Sequence, residues 1–251
     1  MRILLRVAYD GTNYSGWQVQ PNAITVEEVL KKAVEDLFKQ NIEMTGASRT
    51  DAGVHAYGNV AVFDVDTRMP AEKISYALNQ RLPEDVRVVQ SHQVADDFHP
   101  RHADCIKTYE YKIWNDRFEN PMTRLYSHFY HGELDVDKMN EACRYFIGEH
   151  DFTSFCSVGS QVKSKVRTIY RLEVTRQDKL VTIRVTGNGF LYNMVRIIAG
   201  TLLKVGQGGI EPAEIGTILE AHDRNQAGPT APARGLALMG IKYCLNTEKN
   251  S

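Results

Sequence analysis

The chain has 251 residues, 43% of them hydrophobic and 24% charged, the balance of a soluble globular protein with room for one large domain or two of about 100–150 residues. Its formal net charge of −1 argues against a general nucleic-acid coat protein, whose affinity comes from neutralising phosphates with Lys and Arg. It leaves room for an enzyme that keeps its basic groups on one face.

Arg6 and Asp10 interrupt the first apolar run too soon for a signal peptide, and no later run is long enough to span a bilayer. A cytoplasmic protein with no membrane segment is therefore expected. From the N-terminus, residues 3–9 alternate apolar and mostly polar side chains, which predicts a strand, and the turn residues of 10–16 end it. Val26, Val29, Leu30, Ala33, Val34, Leu37 and Phe38 recur at helical spacing, with Thr25 and Glu28 placed as a capping box. Residues 44–64 read as loop and strand, with the polar segment 48–55 ahead of an apolar strand over 60–65, and a shorter helix is expected over 71–78.

The second half repeats a similar order. A strand over 109–114 precedes a helix over 137–147 ended by Gly148, then strands over 170–175 and 181–186. An apolar-periodic helix over 191–205 closes before Gly206-Gln207-Gly208-Gly209, and a last strand covers 236–243. The pattern predicts an α+β fold of two pseudo-duplicated β-α-β halves, mostly antiparallel, with helices packed on one side and a cleft between the halves. With the seam placed in 91–103, the halves are 1–103, carrying the polar loop, and 104–245, followed by a polar tail over 246–251.

Four cysteines, Cys105, Cys143, Cys156 and Cys244, have no CxxC or Cys/His ligand spacing, which predicts buried free thiols rather than a zinc site or a disulfide framework. The pairs His99/His102 and His128/His131 lack a carboxylate or Cys partner at ligand spacing, so no metal is expected. The segment Gly46-Ala47-Ser48-Arg49-Thr50-Asp51-Ala52-Gly53-Val54-His55-Ala56 gathers small, flexible and ionisable residues between a helix and a buried strand. Two readings are open for it. It is an active-site loop, or it is a plain turn in which Asp51 bonds nearby amides and Gly53 supplies a positive φ.

Arg49-Thr50-Asp51-Ala52-Gly53-Val54-His55-Ala56 closely resembles the catalytic motif of the bacterial tRNA pseudouridine synthase A family. The resemblance extends in order through Tyr9-Asp10-Gly11, Tyr14-Ser15-Gly16-Trp17-Gln18, Asp97-Phe98-His99-Pro100-Arg101 and Lys107-Thr108-Tyr109-Glu110-Tyr111. It continues through Gly148-Glu149-His150-Asp151-Phe152-Thr153-Ser154-Phe155, Gly189-Phe190-Leu191-Tyr192-Asn193-Met194-Val195-Arg196 and Arg234-Gly235-Leu236, and so covers nearly the whole chain.

What the resemblance implies is an enzyme that isomerises uridine to pseudouridine in the anticodon stem-loop of tRNA, at positions 38, 39 and 40, working as a homodimer without cofactor. Asp51 would be the nucleophile. Arg196 would pair with it, Tyr109 would stack on the target base, Arg49 would fill the space of the flipped nucleotide and contact its phosphates, and Leu236 would line the pocket. His55 is assigned loop ordering rather than catalysis. Lys163, Lys165, Arg167, Arg171, Arg101 and Lys107 are candidates for a phosphate-tracking surface. The same chemistry on large-subunit ribosomal RNA, and a non-catalytic RNA-binding protein on the same scaffold, are the alternatives. An acidic side chain where phosphates approach speaks against the second, and the absence of clustered carboxylates or His ligands near Asp51 speaks against a metal-dependent nuclease.

Overall fold

The computed structural model describes residues 1–159 and 162–243. In chain order its elements are β1 (Arg2–Tyr9), α1 (Val26–Phe38), β2 (Met44–Gly46), β3 (His55–Asp64), α2 (Ile74–Asn79), β4 (Val86–Val94), β5 (Cys105–Asn115), β6 (His128–Tyr130), α3 (Val136–Cys143), β7 (Gly148–Asp151), β8 (Val166–Gln177), β9 (Leu180–Gly187), α4 (Met194–Gly206), α5 (Glu214–Ala221) and β10 (Leu236–Tyr243). The class is α+β with a mostly antiparallel sheet, as the patterning predicts: β1 pairs antiparallel with β3 and β4, β2 with β3, β5 with β9, and β8 with β7 and β9, while β5 and β6 are parallel. The chain divides into two compact units, one formed by Met1–Cys105 with the chain from Leu238 onward, the other by Ile106–Ala237. No helix among the described residues is long and apolar enough to cross a membrane.

In the first unit the strands run in the order β4, β1, β3, β10, with β2 on β3. The alternation that predicts β1 puts Ile3, Leu5, Val7 and Tyr9 on one buried face, and the register sets Ile3 opposite Phe63, Leu5 opposite Ala61 and Val7 opposite Asn59. The α1 helix starts where the sequence says it should. The Thr25 hydroxyl accepts the Glu28 N–H at 3.4 Å, while the Glu28 carboxylate accepts from Lys32 Nζ one turn on. Its apolar stripe buries Val26, Leu30, Ala33 and Val34, and Lys39 ends it in the left-handed region at φ 56°.

In the second unit the order is β5, β9, β8, β7, with β6 beside β5. A tight hairpin joins β8 to β9 through Asp178, at φ 53°. The α4 helix is buried nearly all round, through Ile197, Ile198, Leu202 and Val205 among others. Such a helix needs small residues where backbone comes close, and Gly200 meets the carbonyl of Pro229. Phe146, Phe152 and Phe155 pack edge to face nearby in sequence, with ring centroids 5.0 and 6.2 Å apart.

Several expectations need correction. The loop expected over 48–55 ends earlier, because β3 begins at His55. The helix expected over 191–205 begins at Met194: Asn193 stands at φ 60° ahead of it, and the Met194 N–H closes a turn on Leu191 O at 3.0 Å. The helix expected over 137–147 becomes 3-10 at Arg144–Phe146 and has ended by Ile147, which is extended. The helix expected over 71–78 opens as a 3-10 turn, Ala71–Lys73. Three strands, β4, β6 and β7, and the helix α5 were not expected. A β-bulge between Arg6 and Val7 disturbs the pairing of β4, α5 has no capping side chain and carries a glycine, and β6 and β7 are too short to show a period.

Cys143 and Cys156 are buried free thiols, and burial pushes Cys143 up to about 12, which makes it inert as a nucleophile. Cys105 is only half-buried, at the start of β5. Cys244 and the tail 246–251 lie outside the described residues.

Two helix glycines should respond to alanine with opposite sign. Gly216 in α5 has only a Tyr145 ring carbon near its missing Cβ, at 3.8 Å, so Gly216→Ala should stabilise by about 0.5–1 kcal/mol. At Gly200 the new Cβ would drive into the Pro229 carbonyl, and Gly200→Ala should destabilise by about 1–3 kcal/mol. Urea unfolding of the two variants beside the parent chain measures both.

Candidate active site

The segment between β2 and β3 opens on a bend at Ala47, and from there its burial alternates: Ser48 and Thr50 are buried, Arg49 is exposed and Asp51 is half-buried. The inward pair anchors the segment and the outward pair carries the ionisable groups. Thr50 is held twice. Its hydroxyl is 2.7 Å from the Tyr9 hydroxyl, and its carbonyl accepts the Trp17 N–H at 3.0 Å.

Beyond Asp51 the chain turns. The Asp51 carbonyl accepts the Val54 N–H at 3.1 Å, and Gly53, at φ 77°, donates its N–H to Tyr14 O at 3.3 Å. Gly53 thus does what the plain-turn reading expects, while Asp51 is fixed through its backbone. Gly16 lies against the same turn at φ 89°, where a Cβ would stand 2.5 Å from Thr50 O. The tight approach of residues 9–17 to 50–54 explains why glycines occupy positions 11 and 16.

His55, at the first position of β3, is buried. Its Nδ1 accepts the Gly11 N–H at 3.1 Å and lies 3.1 Å from Asp10 Oδ1. An atom that accepts an amide proton carries none of its own, so the Gly11 contact belongs to the ring with its hydrogen on Nε2 and the Asp10 contact to the ring with a hydrogen on Nδ1. In either state the imidazole ties the turn after β1 to the start of β3, the ordering role expected of it.

Arg49 has a second guanidinium near it. Arg101 donates from Nε to Gly46 O at 2.8 Å, and partial burial, followed by the charge of Arg49, holds it below its ordinary pKa. His99 and His102 stack at 3.9 Å. Among the described residues no group of three or more His, Cys, Asp or Glu side chains is placed to hold a metal ion.

Tyr109, Arg196 and Leu236 belong to the second unit, apart from Asp51 and Arg49. Tyr109 and Tyr111 lie on one face of β5; Tyr109, 8% exposed, meets Phe190 edge to face at 5.2 Å. Phe190 directly precedes the turn ahead of α4 whose Asn193 accepts from Arg196 Nη1 at 2.9 Å. Arg196 Nε donates to Ala231 O at 2.8 Å. Arg196 is therefore braced by the turn before its own helix and by the chain approaching β10. Burial raises the Tyr111 phenol far above its ordinary value, although Arg196 and Arg234 pull against it, and its hydroxyl donates to Pro232 O at 2.9 Å. Gly235 lets the backbone lie on the Tyr111 ring, and Leu236 follows it, 5% exposed. The chain entering β10 at Gly235 thus lies against Tyr111, and Arg196 acts on the same phenol.

The expected phosphate-tracking residues differ among themselves. Arg171 is paired with Glu173 at 2.7 Å, and Arg167 donates to the carbonyls of Ser164 and Val166 and is lowered by burial, whereas Lys163 is exposed. Sequence reasoning assigned no role to Tyr9, Thr50 or Asn59. The available signal was an asparagine inside an apolar strand, where it is a poor β-former and costs desolvation unless its amide is satisfied.

A family model described as tRNA pseudouridine synthase matches residues 6–102 and 142–244. The tRNA pseudouridine synthase A of Ruminiclostridium cellulolyticum is 49% identical over 243 residues, covering 96% of this chain and 99% of that protein. That of Bacillus pumilus is 45% identical over 245 residues, with 97% and 99% covered. Among solved structures, the archaeal box H/ACA sRNP Nop10-Cbf5 complex matches at 13% identity and a TM-score of 0.34, covering 94% of this chain and 46% of that one, a likeness too weak to argue from. These matches set the chain among the RNA-modifying isomerases. The chain belongs to the tRNA pseudouridine synthase family.

Proposed function

We propose that this protein isomerises uridine to pseudouridine in the anticodon stem-loop of tRNA, at positions 38, 39 and 40, with Asp51 as the nucleophile. The observation that carries the reading is the half-buried Asp51, held by its backbone on a turn between two anchored residues inside the family's motif. An ionised carboxylate is a competent nucleophile and a tolerable leaving group, so one covalent intermediate can divide the exchange of an N-glycosidic for a C-glycosidic bond into easier steps. The reaction has no net redox change and consumes no water, so its chemistry asks for no cofactor.

Arg196 would keep Asp51 ionised and aimed, since a guanidinium beside a carboxylate favours its charged form. The braces on Arg196 Nε and Nη1 suit that task, because they hold the group in one orientation. Tyr109 would receive the target base, Leu236 would border it, and exposed Arg49 would occupy the gap left by a nucleotide turned out of its stack and meet the flanking phosphates. Two copies of the chain would share one tRNA, because a protomer of formal charge −1 offers little basic surface alone.

Asp51→Asn keeps the shape and removes the anion. Turnover should fall below detection while tRNA affinity is kept or improved, as one negative charge near phosphates is lost. Asp51→Glu should be nearly as inactive, because attack geometry tolerates a displacement of only about 1 Å. Single-turnover assays with filter binding in parallel read both, and appreciable product from Asp51→Asn would remove the nucleophile assignment.

Pseudouridine mapping of RNA from cells with and without the gene should show loss at tRNA positions 38, 39 and 40; loss confined to ribosomal RNA would transfer the activity there. Sedimentation at micromolar concentration should give a dimer, and a fully active monomer would end the shared-tRNA proposal.

A further inference from the structure

Behind the Asp51 turn lies a buried polar chain to which the mechanism above gives no part. Asn59 is fully buried at 0% exposure in the middle of β3, on the same face as Val7 and Tyr9 of β1. Its Oδ1 accepts the Val60 N–H at 2.9 Å, and its Nδ2 donates to Ser48 O at 3.0 Å and to the Tyr9 hydroxyl at 3.3 Å. The Tyr9 ring is 5% exposed, and its hydroxyl, having accepted from Asn59, stands 2.7 Å from Thr50 Oγ1.

Three polar side chains at the bottom of an apolar sheet face are costly to bury, and apolar residues of similar shape would fill the same space without that cost. A role in packing alone does not account for them. What they contact does: Ser48 through its carbonyl and Thr50 through its hydroxyl, the residues on either side of Arg49 and the last one before Asp51. Ser48 Oγ itself has no hydrogen-bond partner among the described residues, so the carbonyl is the point of attachment there.

A segment pinned at Ser48 O and Thr50 Oγ1 cannot rotate or slip by one position without breaking both pins. The residues between and beyond the pins, Arg49 and Asp51, then have fixed directions.

We infer that Tyr9 and Asn59 are positioning residues for the reaction, acting through Thr50 to hold the Asp51 carboxylate in register for attack. This inference rests on the proposed function of Asp51. Neither side chain touches substrate; each acts through the segment that carries the nucleophile. Tyr9→Phe and Thr50→Val each delete one hydroxyl and keep the shape, so both should fold. Thr50→Ser keeps the hydroxyl and serves as the rescue.

Each deletion should lower single-turnover pseudouridine formation on tRNA at least about tenfold and leave the tRNA dissociation constant within about twofold, as expected for misplacement of a reacting group. The double variant Tyr9→Phe/Thr50→Val should be no slower than the slower single variant, because both remove the same hydrogen bond. Thr50→Ser should stay within about threefold of the parent, the hydroxyl being retained.

Parental rates in both deletions, beside an inactive Asp51→Asn, would overturn the positioning role and leave the proposed function standing. Parallel loss of affinity, thermal midpoint and rate would also overturn it, in favour of a purely structural role. A parent chain that forms no pseudouridine in tRNA would remove both.

Discussion

The antiparallel pairing of β1 with β3 is the constraint from which the candidate site follows. Its register sets Val7 opposite Asn59, and the shift between Val7 and Tyr9 then brings Tyr9 opposite Ala56. One strand ends in the Tyr9-Asp10-Gly11 turn and the other begins at His55, so both loops that define the turn around Asp51 grow from the same end of one pair of strands. The bonds that join them, Trp17 N–H to Thr50 O, Gly53 N–H to Tyr14 O and Gly11 N–H to His55 Nδ1, are short-range consequences of that register. A slip by one residue would turn Asn59 to the opposite face and remove the anchor of Ser48 with it.

Placing a carboxylate this way separates its two needs. In the nucleophilic role proposed for it, Asp51 must be ionised, which favours contact with water or a cation, and it must also be rigid, which favours burial. Half-burial of the side chain on a turn closed at the Asp51 carbonyl meets both, because the rigidity comes from the main chain and from the neighbours at 48 and 50. The same division appears around Arg196, where Asn193 and Ala231 O fix the guanidinium from the sides of its own unit.

Much of this was legible in the sequence because it is periodic or local. The β1 alternation, the α1 stripe with its Thr25 cap and the extent of β10 are each set by residues within one element, and the chain shows them directly. Three features were not legible, for distinct reasons. The α4 helix starts three residues later than its apolar pattern, because Leu191 is buried by a turn rather than by a helix; periodicity reports burial and not backbone. The helix α5 is buried through Ile215, Ile218 and Leu219, yet it has too few turns and no cap to announce it. Asp51 was visible only as a residue in a turn until a family motif singled it out, and the supporting group at Tyr9 and Asn59 is joined through space by contacts 41 and 50 residues apart.

The strand β10 adds a consequence for how the molecule is made. It flanks β3 in the sheet of the first unit, with Gly58 lying against the backbone of Met239 and Gly240. Its residues leave the ribosome only after the whole of the second unit has been synthesised. Until then the part of β3 that β2 does not cover presents an unpaired edge, open to pairing with other chains. The segment that bears Asp51 is thus encoded early and completed late, and premature termination anywhere in the second unit would yield a chain whose first unit lacks one of its strands.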